Sequence, residues 1–236
     1  MSLFHTESFW KIVLGEDWAE SLYPNVIALN PGFCRSLGLI SELYNKGEEI
    51  YPKDKADIFK AFRECPRDKC KVIFLGQDPY PNSMATGLAF ANPRDTLPEE
   101  YSPSLRILQD ALERSYPGTG EFLDPSLMFW AKQGVLLLNS SLTVSPTNKF
   151  SFQSIWNRFI SGVIKTVTRD TNKVIILLGN VAKTFKSDID FFNWTMTAPH
   201  PAFNARNNTA LDLDFREIDR YLKNHGGEKI QWVKTL

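Results

Sequence analysis

The chain is poor in cysteine and histidine and carries no excess of either charge. Its three cysteines, Cys34, Cys65 and Cys70, are odd in number and widely spaced, with no CxxC pair. That argues against a disulfide framework or a zinc site and for reduced thiols. The histidines, His5, His200 and His225, share no metal-ligand spacing such as HxxxH, so no metal is expected. Neither GxGxxG nor GxxxxGKS/T occurs, which argues against a nucleotide-binding α/β protein built on a phosphate loop; no cofactor is expected. No apolar run is long enough to span a membrane, and no membrane contact is expected. The first residues, MSLFHTESFWKIVLGEDW, lack the basic start, apolar core and small-residue cleavage site of a secretory signal. A cytoplasmic protein, or a nuclear one if the source is eukaryotic or viral, is expected. With 27 basic and 27 acidic residues the formal net charge is zero, which disfavours a mainly electrostatic, non-specific nucleic-acid binder. A local basic or amide-lined groove stays open.

What the sequence does hold is a core. It has 236 residues, 43% hydrophobic and 23% charged, which suits one globular α/β domain over 1–236. Four apolar runs read as buried strands: Val72–Leu75, Val135–Leu138, Val174–Leu178 and, more weakly, Trp194–Ala198. Continuous apolar runs suit a mostly parallel sheet covered on both faces. Helical spacing predicts helices over Asp54–Arg63, Ser104–Arg114, Ser151–Thr168 and Leu211–Leu222, the last stopped by Asn224 to Gly227. Alternating strand and helix predicts a three-layer α/β domain with a central four-stranded sheet flanked by helices.

Each strand ends in usable chemistry. The first runs into Gly76-Gln77-Asp78-Pro79-Tyr80, the second into Asn139-Ser140-Ser141, the third into Gly179-Asn180, and the fourth into Pro199-His200-Pro201. Open α/β sheets bind ligands at this edge. Asp78, between a glycine-led turn and a proline, reads equally as a turn residue. Flanking prolines make His200 either a stiffly held donor or a surface loop residue. Asn139 could cap a turn or read a heterocycle with its paired donor and acceptor.

Together the segments KVIFLGQDPY (71–80), GLAF (87–90), SPSL (102–105), WAKQGVLLLNSSLTV (130–144), VIILLGNVAKTF (174–185) and HPAFNARNN (200–208) resemble the family-1 uracil-DNA glycosylases over most of the chain. The resemblance implies a metal-independent, monofunctional DNA N-glycosylase of base excision repair. Asp78 would be the catalytic carboxylate and His200 the hydrogen-bond donor to uracil O2. Gln77 would help at O2 chiefly through its backbone, Phe90 would stack on the ring, and Asn139 would read O4 and N3. Tyr80 would sit against C5 and exclude the thymine methyl. Ser102, Pro103 and Ser104, then Gly179 and Asn180, then Pro201, Phe203 and Asn204 would contact DNA. The implied partners are uracil-containing single- or double-stranded DNA and a proteinaceous glycosylase inhibitor or replication partner, and the expected state is a monomer.

The match is uneven. Pro81 and Thr86 stand where the family usually has histidine. The loop His200-Pro201-Ala202-Phe203-Asn204-Ala205 lacks the usual phosphate-gripping hydroxyl at Ala202, and Asn204 replaces the leucine that wedges into the base stack. Phe203 beside it is the alternative wedge. The segment Arg206-Asn207-Asn208 lacks the usual glycine-phenylalanine run. These departures motivate a second reading, a catalytically weak glycosylase-fold protein kept for DNA binding or as a replication partner.

Overall fold

The first structural surprise lies before Asp54, where the apolar pattern predicts no element. In the computed structural model, which describes residues 3–118, 123–147 and 152–233, it forms helices α1 (Glu7–Leu14), α2 (Glu16–Leu22) and α3 (Pro31–Asn45). Asn30 caps α3 by accepting the Phe33 N–H, and Pro31 occupies the first helical position, where its missing N–H costs nothing.

The predicted Asp54–Arg63 helix is split into a 3-10 turn, Lys55–Phe59, and a short α4 (Lys60–Glu64). Strand β1 (Val72–Gly76) leads to α5 (Pro103–Ser115) and α6 (Met128–Ala131), then β2 (Val135–Asn139) and α7 (Gln153–Val167). The expected α7 start at Ser151 lies outside the described residues. Next come β3 (Val174–Leu178), α8 (Asn180–Lys183), β4 (Trp194–Ala198), α9 (Pro201–Asn207) and α10 (Phe215–Asn224). The last helix begins four residues later than the Leu211 start predicted. Asp214 caps it through the Arg216 N–H, while Leu211 and Leu213 bury alternate side chains of a non-helical lead-in.

All four strands are parallel, in the order β2-β1-β3-β4. β1, β2 and β3 are buried throughout, as their unbroken apolar runs require. The step from β1 to β2 runs one way across the sheet and the step from β2 to β3 the other. Right-handed crossovers therefore put α5 and α7 on opposite faces. Each face has its own aromatic cluster. Trp10, Phe33, Phe59, Trp156 and Phe159 pack together on the α7 side. Phe74, Trp130, Phe215 and Trp232 pack on the other. Helices on both faces make the three layers. The connections diverge between β1 and β3, and the crevice at their carboxyl ends is where such sheets place ligands.

Candidate active site

Strand register does the first part of the assembly. Gly76 pairs with Asn139 across β1 and β2, so the turn after β1 starts beside the Asn139 amide. The Ser140 and Ser141 N–H groups donate to the carbonyls of Gly76 and Gln77, and the Ser140 hydroxyl also donates to Gln77 O at 2.8 Å. The two strand ends are thereby stitched together immediately before Asp78. A Cβ on Gly76 would stand 2.6 Å from Asn139 Oδ1 and 2.8 Å from Phe90 Cζ. Glycine is thus the residue that lets the amide and the Phe90 ring close over this strand end.

A narrow pocket of about 20 Å³ opens there, and Asp78, Tyr80, Phe90, Asn139 and His200 all line it. A larger cleft of about 570 Å³ adjoins it and shares Thr86 and Leu88, but holds none of those five. Size alone would misplace the site. Gln77 is not part of the pocket lining; it serves as a brace, its carbonyl taken by Ser140 and Ser141.

Asp78 is solvent-exposed at the pocket, yet the protein crowded around its carboxylate raises its pKa above the usual value. Hydrogen bonds from the Gln77 side chain and its own backbone pull weakly the other way. Asn139 is buried, and its side chain makes no hydrogen bond to the protein among the described residues, which leaves both amide functions for a ligand.

His200 follows β4, the strand paired to β3, and starts α9. Its Nδ1 accepts the Ala202 N–H at 3.2 Å. A backbone N–H can only donate, so Nδ1 carries the lone pair and the proton of the neutral ring sits on Nε2. Desolvation, and secondarily the Arg206 charge, lower its pKa and favour that neutral form. Its ring lies 5.7 Å from that of Phe90, tilted by 46°. Gly179, at φ +99°, ends β3 so close to the His200 side chain that an added Cβ would lie 3.0 Å from the histidine's own Cβ.

Tyr80 forms another wall. Its hydroxyl donates to Phe90 O at 3.1 Å and accepts from Ser102 Oγ at 2.7 Å. Burial pushes its pKa up to about 12. Phe90 itself sits at φ +66°, a region bulky residues rarely enter.

Two expectations need correction. Ser102 is buried, with its hydroxyl spent inside the protein on Tyr80, while Ser104 is buried against the pocket, which it helps to line, and of this trio only Pro103 is exposed. Asn204 is 2% exposed, with its Nδ2 donating to Thr209 Oγ1 and Ala210 O; it points inward and cannot enter a base stack. Phe203 beside it is 48% exposed. Pro201 is buried at the start of α9, and Asn180 is exposed at the start of α8. Two further residues belong here as well. Thr86, noted in the sequence only as a departure from the family pattern, lines the pocket with a buried hydroxyl oxygen that has no partner among the described residues. Asn92, which the sequence pattern does not single out, is fully buried and holds Ser102. The only hint of Asn92 is its place as a polar residue just after the GLAF segment.

Comparison with known proteins points to one family. A uracil-DNA glycosylase from Idiomarina loihiensis is 38% identical over 78% of this chain and 86% of its own. One from Dichelobacter nodosus is 34% identical over 96% of this chain and 94% of its own. The crystal structure of mimivirus uracil-DNA glycosylase superposes with a TM-score of 0.73 at 23% identity, covering 86% of this chain and 80% of that one. A family model, the Uracil DNA glycosylase superfamily, matches residues 62–223. With a carboxylate, an amide, two aromatic walls and a neutral imidazole meeting where the strands end, this chain belongs to the uracil-DNA glycosylase superfamily.

Proposed function

We propose that the protein is a uracil-DNA glycosylase that hydrolyses the N-glycosidic bond of deoxyuridine in DNA, releasing uracil and leaving an abasic site. The observation that carries this reading is the meeting of Asp78, Tyr80, Phe90, Asn139 and His200 around one pocket. The uracil is reached by flipping the nucleotide out of the stack. Phe90 stacks on the ring, Asn139 pairs with O4 and N3–H, and Tyr80 meets C5, where thymine carries its methyl.

As the C1′–N1 bond lengthens, its electrons move onto uracil and collect at O2. The His200 Nε2–H donates there, and because the imidazole is neutral it stabilises the anion as a fixed dipole without giving up its proton. Asp78 stabilises the cationic sugar and orients water toward C1′. Water forms the new C1′–O bond, and its proton passes to the carboxylate or to solvent. The leaving anion is already delocalised, so no second carboxylate is needed. Phe203, the exposed apolar residue of α9, enters the gap left by the flipped base.

A proteinaceous inhibitor is a further partner this reading supports, since a mimivirus UNG variant with the same fold was crystallised in complex with UGI. A monomer acting inside the cell completes the proposal. The binding-only alternative rests on the altered α9 loop, where Phe203 nonetheless offers an exposed apolar side chain beside the inward-turned Asn204. The deciding experiment is uracil release from matched single- and double-stranded oligonucleotides in EDTA, with thymine as control base. No release by the native chain, or undiminished release by Asp78→Asn, overturns the assignment.

A further inference from the structure

Behind Tyr80 runs a chain of hydrogen bonds in which every proton has a defined direction. The Ser102 backbone N–H donates to Asn92 Oδ1 at 2.7 Å. That fixes which end of the Asn92 amide is oxygen, so Nδ2 is the atom that meets Ser102 Oγ, at 2.9 Å, and it donates. The Ser102 hydroxyl, already accepting, gives its own proton to Tyr80 Oη at 2.7 Å. Tyr80 in turn gives its proton to the Phe90 carbonyl at 3.1 Å. Asn92 is 0% exposed and Ser102 6%, so neither amide nor hydroxyl can exchange these partners for bulk water. A buried polar chain with all members satisfied is rigid, and breaking one link strands the rest.

The chain ends on the two residues that frame the base. Tyr80 is gripped at its tip from both sides, and Phe90 is tied by its carbonyl while its backbone holds φ +66°. We propose that Asn92 and Ser102 are specificity-determining positioning residues, which hold the Tyr80 ring at the C5 edge and so set the preference for uracil over thymine. The inference rests on the glycosylase reading above. Uracil and thymine differ there by one methyl group, so a wall that tilts modestly is enough to admit the wrong base. A rigid wall excludes a methyl sterically, and its discrimination depends on how firmly it is held.

The test measures kcat/KM for uracil and for thymine in the same oligonucleotide context, for the parent and for Asn92→Ala, Ser102→Ala, Ser102→Thr and Tyr80→Phe. Breaking the chain should lower the uracil-to-thymine ratio by about tenfold or more, the scale of one-methyl discrimination. That fall should exceed the loss in uracil turnover. Ser102→Thr, which keeps the hydroxyl, should retain the parent ratio. In a Tyr80→Phe background, Ser102→Ala should change the ratio no further, because the link it breaks is already gone. An unchanged ratio in both Asn92→Ala and Ser102→Ala overturns the proposal, as does an effect of Ser102→Ala that persists undiminished with Phe at 80. If those two variants fail to fold, Tyr80→Phe decides, because it removes the Ser102 and Phe90 links together without touching the buried pair, and an unchanged ratio there overturns the proposal. A parent with no uracil release would instead overturn the functional reading, and this one with it.

Discussion

His200 Nδ1 accepts the Ala202 N–H at 3.2 Å, and that one contact decides where the imidazole keeps its proton. The folded ring titrates below its usual value, mainly through desolvation and then through Arg206. Protonation would put a second N–H against that of Ala202. Between the folded value and the unfolded value near 6.5 the unfolded chain holds more protons. His200 therefore contributes stability that is present above about pH 6.5 and is lost as pH falls through the folded value. Urea unfolding from pH 7.5 to 5 should show this slope, and His200→Gln should flatten it. The same variant should lose about 10²–10³ in the rate of uracil release, the usual effect of deleting one anion-stabilising donor.

Asp78 has the opposite linkage. Its folded pKa is raised by desolvation, so between the unfolded and the raised value the folded protein holds more protons, and ionising this carboxylate works against stability as pH rises through that window. Asp78→Asn should melt no lower than the parent at pH 7.5, with any gain vanishing below the unfolded carboxyl pKa. Its single-turnover rate should nonetheless fall by about 10²–10⁴-fold. A variant both slower and clearly less stable at pH 7.5 would contradict this account.

Gly76 is required by space rather than by backbone conformation, because an added Cβ would meet Asn139 Oδ1 at 2.6 Å and Phe90 Cζ at 2.8 Å. Gly76→Ala should cost about 1–3 kcal/mol of stability, as overpacking does. Its kinetic effect should be larger, since the methyl displaces the Asn139 amide and the Phe90 ring together, the two groups proposed to hold the base. Thermal melting and uracil-release kinetics on one preparation would separate the two.

Phe203 and Asn204 are neighbours on α9 with opposite fates. Phe203→Ala should leave stability within about 0.5 kcal/mol, as surface changes do. It should slow uracil release from duplex DNA more than from single strands; equal losses on both would rule out the wedge. Asn204→Ala should instead destabilise by about 1–3 kcal/mol, because Thr209 Oγ1 and Ala210 O lose their donor.

Three strands are readable because a strand buried on both faces has little choice of residue: the runs at 72, 135 and 174 begin where the strands do, and the less buried run at 194 carries the weaker pattern yet begins there too. The residues at their ends were legible for the same reason, since Asp78, Asn139 and His200 follow directly from them. The α1 to α3 region is not legible, because α1 and α2 are short and separated by Gly15, and the longer α3 is broken up in sequence by Pro31, Gly32 and Gly38. The long helices were read but not their ends, which depend on single caps such as Asp214. Ser102 and Asn204 were misplaced because a polar residue in a loop reads as surface. What turns them inward is a partner that only the fold supplies, Tyr80 for one and the 209–210 backbone for the other. Asn92 has no local signature, since its side chain holds a residue ten positions away.

The strand that delivers His200 is one of the two edges of the sheet. β4 pairs with β3 alone and is the least buried of the four, whereas β2, the other edge, is buried throughout and ends on Asn139 beside β1. Elements with little buried surface open before cores do. Warming should therefore loosen the His200 side of the pocket before the Asp78 and Asn139 side, so that on the proposed mechanism uracil release fails at a lower temperature than uracil binding.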